Sequence, residues 1–148
     1  MATLSRSELR TWFLLVSSMR SLLNALDRQF RDEAGITHDD YEILSRLHRA
    51  PDRTLRMSQL ARDVGFSPSR LSHAVGRMED AGWVTRAPSP SDRRGTDATL
   101  TDLGVKLVDE VTPAHLDLVK KLVFQTLGPA RARDAAEAFG EIGRAAAS

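Results

Sequence analysis

Residues 58–104 read SQLARDVGFSPSRLSHAVGRMEDAGWVTRAPSPSDRRGTDATLTDLG, and this stretch decides the fold. Leu60, Ala61 and Val64 form a short helical stripe that Ser58 is expected to cap, and Gly65-Phe66 gives a tight turn. Ser67 and Pro68 open a second helix as N-cap and first helical residue, and Gly82 ends it. Residues 83–87 (Trp-Val-Thr-Arg-Ala) and 96–100 (Thr-Asp-Ala-Thr-Leu) have strand chemistry, and PSPSDRRG between them is turn chemistry. A helix-turn-helix followed by a hairpin is the layout of a winged DNA-binding module.

The flanks on either side are helical. Ser5 and Glu8 make a capping box for a helix over residues 5–34, with apolar residues at 9, 12, 13, 16, 19, 23, 26 and 30. Leu15 and Leu22 fall off that stripe, so this helix needs partners on two sides. Gly35 ends it, and Thr37 caps a second helix carrying Tyr41, Ile43, Leu44 and Leu47. Leu55-Arg56 reads as a short strand. Thr101-Asp102 opens another long helix reaching Leu127, with Pro113 expected to kink it. Gly128-Pro129 precedes an Ala-rich last helix carrying Phe139 and Ile142.

On the second helix of the motif, the 100° step places Leu71, Ala74, Val75 and Met78 on a core face. Ser69, His73, Gly76 and Arg77 point the other way, with Arg70 and Ser72 on the flanks. Small hydroxyl residues, a His, a Gly and two Arg form an outward face that lets the backbone approach a surface and hydrogen-bond base edges and phosphates. The hairpin tip carries Asp92-Arg93-Arg94-Gly95. A basic tip on a protruding ribbon can reach a minor groove. Asp92 is expected to accept from the Arg94 guanidinium, and Gly95 to allow the turn. A solvated charged turn is the alternative.

Charge distribution agrees with this. The chain has 148 residues, 21 Lys and Arg, 20 Asp and Glu, and a net charge of +1. Residues 1–55 hold eight basic and eight acidic side chains, whereas residues 56–94 hold seven Arg and four acids. The positive excess lies where phosphates would need it. A coding bias toward Arg is the other explanation. With no cysteine there is no disulfide, thiolate or Cys-based zinc chemistry. The four His, at 38, 48, 73 and 115, show no zincin spacing, and the acids beside His38 suit a helix N-terminus, so no metal is expected. No phosphate loop, nucleophile motif or membrane-length apolar run is present, and the N-terminus lacks a signal peptide's apolar core. These features predict a single cytoplasmic, cofactor-free domain that is not an enzyme.

Ser58, Leu60, Ala61, Ser67, Ser69, Ser72, Val75, Arg77, Glu79, Gly82, Trp83, Val84 and Arg86, followed by Asp92, Arg94, Leu100, Thr101 and Gly104, resemble the helix-turn-helix and wing pattern of the MarR family. The resemblance covers nearly the whole chain. It implies a mainly α fold with a small β wing, in which residues 37–100 form the winged lobe and residues 5–36 and 101–148 form dimerisation helices. It implies a homodimeric transcriptional regulator, a repressor, bound to a pseudo-palindrome in double-stranded DNA and released by a small, often phenolic ligand. By carry-over Ser67, Ser69, Arg70, Ser72, His73 and Arg77 face the major groove or its phosphates. Arg93 and Arg94 lie at the wing tip, with Arg94 entering the minor groove; Arg86 and Asp92 brace the wing. Trp12 and Tyr41 are candidates for lining an effector pocket, with core packing as the alternative. Ser72-His73 stands where many members have Thr-Arg, so base preference does not carry over. The absence of Cys excludes the Cys-based oxidant sensing of some members. Two other readings stand beside this one: a winged module that has lost DNA binding, and an enzyme on this scaffold.

Overall fold

A computed structural model describes residues 3–147. Helix α1 spans Arg6–Ala34. Its N-terminus is closed reciprocally: Ser5 Oγ accepts the Glu8 N–H at 3.2 Å and the Glu8 carboxylate accepts the Ser5 N–H at 2.7 Å. Gly35, at φ 67°, ends it in the left-handed conformation that glycine adopts without strain. Of its apolar residues only Leu26 and Phe30 are buried; Trp12, Phe13, Leu14 and Leu23 are all more than half exposed. Helix α2, His38–Arg49, starts from a second capping box made by Thr37 and Asp40 and buries Ile43, Leu44 and Leu47.

A 3₁₀ turn at Pro51–Arg53 follows, in which Asp52 and Arg53 both have positive φ, 52° and 54°. Strand β1, Thr54–Arg56, then runs directly into α3, Met57–Val64. The helix begins before the serine expected to cap it: Arg56 is the N-cap residue, without a side-chain cap, and Ser58 is an exposed first-turn residue. The reason is the sheet. Arg56 is held extended opposite Asp97 of the wing, so the helix starts at the next residue. After Gly65, α4 spans Pro68–Asp80, with Ser67 Oγ accepting the Arg70 N–H as its cap.

Strands β2 (Val84–Pro88) and β3 (Thr96–Leu100) form the wing, and β1 joins it to give an antiparallel sheet of order β1-β3-β2. Leu71, Ala74, Val75 and Met78 are buried, as the 100° step required, against Leu60, Val84, Leu100 and the α2 leucines. Each buried Leu, Val and Met side chain here contributes about 1.5–3 kcal/mol, and Ala74 less. The hairpin base is locked by Thr101, whose N–H bonds Trp83 O at 2.9 Å and whose hydroxyl donates to Gly82 O at 2.7 Å. Gly104 then sits on the Trp83 carbonyl so closely that a Cβ would overlap it.

Helix α5, Asp102–Val119, continues through Pro113 and passes into a π-helical stretch, Lys120–Phe124, which the sequence reading did not foresee. Helix α6 is Gln125–Leu127 and α7 is Pro129–Ala146. The chain forms two compact units, one ending at Thr112 and one starting at Pro113. The first unit holds α1, the helix-turn-helix, the wing and the start of α5, because Phe30 of α1 and Val111 of α5 are buried together with Ile36. In the second unit α7 packs against the Lys120–Leu127 segment. Among the described residues no helix is long and apolar enough to cross a membrane, and no group of three or more His, Asp and Glu is placed to hold a metal.

Candidate nucleic-acid interface

The outward face of α4 is what the core face leaves over. Ser69, Arg70, Ser72, His73 and Arg77 are exposed, as is the cap residue Ser67. Ser72, His73, Gly76 and Arg77 line an open groove of about 410 Å³ whose other wall includes Glu79 and Arg86. Arg86, on β2, closes that wall. Its N–H and Nε donate to the Glu79 carboxylate at 2.9 and 2.8 Å, and its Nη1 donates to Ser72 Oγ at 3.2 Å. The wing strand is thus tied to the C-terminal half of α4, and the Arg86 hydrogen bond holds the Glu79 carboxyl below the usual carboxylate range. Glu79 carried no expected role; only side-chain geometry shows it as the wing's anchor.

Arg70 and Arg77 do not project freely. Arg70 Nη2 donates to Asp39 at 2.6 Å, with its guanidinium 3.8 Å above the Phe66 ring, and Arg77 Nη2 donates to Asp40 at 3.3 Å. In the sequence these two acids have a sufficient explanation in the positive end of α2. Their second function as anchors for the α4 arginines depends on a fold contact across more than thirty positions and leaves no local signal. The arginine heads remain largely accessible, with side-chain exposures of 58% and 64%.

At the wing tip, Asp92, Arg93 and Arg94 are exposed. Asp92 braces the tip, but not through the Arg94 guanidinium. Its carboxylate accepts the Arg94 backbone N–H at 3.0 Å and the Arg56 Nη2 at 2.7 Å. Those two bonds, the backbone one first, hold its pKa below the usual range. Gly95 is likewise not required for a positive φ. A Cβ there would overlap the Arg56 guanidinium, so glycine makes room for that side chain.

The structure does not bring Trp12 and Tyr41 together. Tyr41 is half-buried, stacked on Phe30 at 4.4 Å, with its hydroxyl 3.2 Å from Thr112 Oγ1. Trp12 lies about 27 Å along α1 from Phe30, at 1.5 Å per residue, and is exposed. One protomer cannot line a single pocket with both.

Comparison with known proteins places this geometry. The MarR family model matches residues 34–95. A MarR family transcriptional regulator from Streptomyces coelicolor, Sco3205, solved in complex with DNA, is 39% identical, with 99% of this chain and 89% of that chain covered at a TM-score of 0.87. AbsC, another regulator of the family from Streptomyces coelicolor, is 33% identical, with 97% of each chain covered at a TM-score of 0.90. The transcriptional regulator PecS of Dickeya dadantii is 33% identical over 95 residues, 63% of this chain; the match spans only 56% of PecS itself. With a winged helix-turn-helix in place and two solved relatives matched over nearly their whole length, the chain belongs to the MarR family.

Proposed function

We propose that this chain is a sequence-specific transcriptional repressor that binds double-stranded DNA as a homodimer. In this reading α4 enters the major groove through Ser67, Ser69, Arg70, Ser72, His73 and Arg77. The wing reaches the minor groove through Arg93 and Arg94, braced by Arg86 and Asp92. The observation that carries the reading is the exposed face of α4, where small hydroxyl residues, a His and two Arg converge beside a wing strand tied to the same helix by Arg86. The DNA complex of Sco3205 supports it.

The dimer is supported by α1, where Trp12, Phe13 and Leu14 are 54%, 66% and 67% exposed, an apolar stripe that a lone chain would leave in water. Residues 5–36 and 101–148 of two copies supply the dimerisation lobe, and the two winged lobes of residues 37–100 read the two half-sites. The protein acts on cytoplasmic DNA and binds rather than catalyses, in keeping with relatives named as transcriptional regulators. A small aromatic anion, with Tyr41 or Trp12 among its contacts, releases the DNA.

Selection of bound duplexes from a random pool, with light scattering on the complex, tests this. The expected result is a pseudo-palindrome bound by two chains. A monomer that enriches no sequence contradicts it, and leaves the winged interaction module as the better reading. For release, salicylate is the probe: it should weaken operator binding, and operator should weaken salicylate binding by the same factor. Equal salicylate affinity with and without operator refutes the coupling.

A further inference from the structure

Beside the wing, away from the α4 groove, lies a second open groove of about 570 Å³. Its lining includes Arg56, Ser58, Arg62, Arg94 and Gly95. We propose that Arg56 and Arg62 clamp one DNA backbone phosphate here, flanking the minor groove that Arg94 enters. The proposal rests on the DNA-binding reading above and adds a contact on the first helix of the motif.

Three observations carry it. The first is charge: three guanidinium groups line one groove, and among the described residues the only carboxylate paired with any of them is Asp92, on Arg56 at 2.7 Å. Arg62 instead donates to the neutral Gln59 Oε1 at 3.0 Å. A structural ion-pair network would balance these cations; this groove does not.

The second is placement. Ser58 and Arg62 are four residues apart on α3 and share one face of it, so a hydroxyl and a fork of donors point the same way. That pairing suits a tetrahedral phosphodiester, which offers two acceptor oxygens to a guanidinium.

The third is the fixing of Arg56. Its backbone is held in β1 opposite Asp97, its head is bonded to Asp92, and it lies over the bare Cα of Gly95. Gly95 leaves room for the Arg56 head to lie against the wing tip. Arg56 is presented at a set distance from both α3 and the wing tip, where the backbone of a duplex entering between them would pass.

Arg56→Gln, Arg62→Gln and Gly95→Ala test this in the full chain. The readout is the salt dependence of duplex affinity, on operator and on random sequence. The double variant Arg56→Gln/Arg62→Gln should reduce the slope of log K against log salt by about 0.9, equally on both duplexes, since the one shared phosphate contact is lost. Arg62→Gln and Arg56→Gln alone should each reduce it by part of that amount. Gly95→Ala keeps every charge but displaces the Arg56 head, and should weaken binding with the fold intact. A single methylphosphonate at the contacted phosphate should weaken the wild type several-fold, Arg62→Gln less, and the double variant hardly at all. An unchanged salt slope in Arg62→Gln overturns the proposal. Should the wild type bind no duplex, an NMR titration with inorganic pyrophosphate separates the cases. Amide shifts at Ser58, Arg62 and Gly95 that Arg62→Gln abolishes would reassign the groove to a free phosphate compound, overturning the DNA contact. No shifts would remove the anion site altogether.

Discussion

Arg77 on the recognition helix donates to Asp40 at 3.3 Å, and Asp40 is the same residue whose other carboxylate oxygen accepts the Thr37 N–H at 3.0 Å to cap α2. One acid therefore fixes both the start of α2 and the bearing of an α4 arginine. Asp39 does the second task alone for Arg70, at 2.6 Å. Both arginines are set toward α2 before any DNA arrives, and phosphates compete with two carboxylates for them.

The competition can be measured. Asp39→Asn removes the acid from Arg70 without touching the cap. Exposed pairs of this kind contribute about 0.2–1 kcal/mol, so affinity for random duplex should rise by up to about five-fold. Fluorescence anisotropy on random and operator duplexes checks it. Preference for operator should fall, because the freed arginine contacts any phosphate.

The Arg86–Glu79 tie sets an acid limit. Arg86 lowers the Glu79 carboxyl's pKa, so its contribution is whole above the unfolded value of about 4.3 and is lost as pH falls through the lower folded value. Both side chains are about 30% exposed, so the effect is small. Glu79→Gln should flatten the acid limb of the stability curve below about pH 4.3, read by urea unfolding across pH. It should also loosen the wing and reduce operator affinity at neutral pH.

Gly104 lies where α5 leaves the wing, with the Trp83 carbonyl and the Leu100 side chain against its Cα. A backbone carbonyl cannot swing aside as a side chain can. Gly104→Ala should therefore destabilise by about 1–3 kcal/mol, the range for overpacking a filled site, visible as a fall in Tm. Gly143→Ala, with nothing near the added carbon, is the control and should be neutral or stabilising.

The caps of α1, α2 and α4 and the core face of α4 were legible because they depend on neighbours within four positions. Ser58 misleads because it is a good cap type two residues too late: the pairing of Arg56 with Asp97, 41 positions away, sets the helix start. Asp92 bonds Arg56 and the Arg94 backbone rather than the Arg94 guanidinium, and Gly95 makes room for Arg56 rather than a positive φ, because Arg56 lies outside the hairpin. Asp39, Asp40 and Glu79 were missed as site residues for the same reason. Their partners Arg70, Arg77 and Arg86 meet them only once the helices are packed.

Arg94 should read the minor groove at the outer edges of the operator, where the wings land. A narrow A·T-rich groove deepens the negative potential that an arginine meets. Arg94→Ala should cost about 1–3 kcal/mol of binding. Operators with A·T or G·C flanks provide the check: the wild type should prefer A·T and the variant should not. Equal discrimination by both would make Arg94 a phosphate contact.

In the proposed complex α4 and the wing hold DNA through a small set of placed arginines. The direct measurement is the salt dependence of operator affinity for the wild type and for Arg77→Ala, by anisotropy over a range of salt concentrations. A steep wild-type slope is expected, which Arg77→Ala reduces by about 0.9, with affinity lowered for every sequence. An affinity that does not change with salt, or an Arg77→Ala protein with the wild-type slope and affinity, would contradict it.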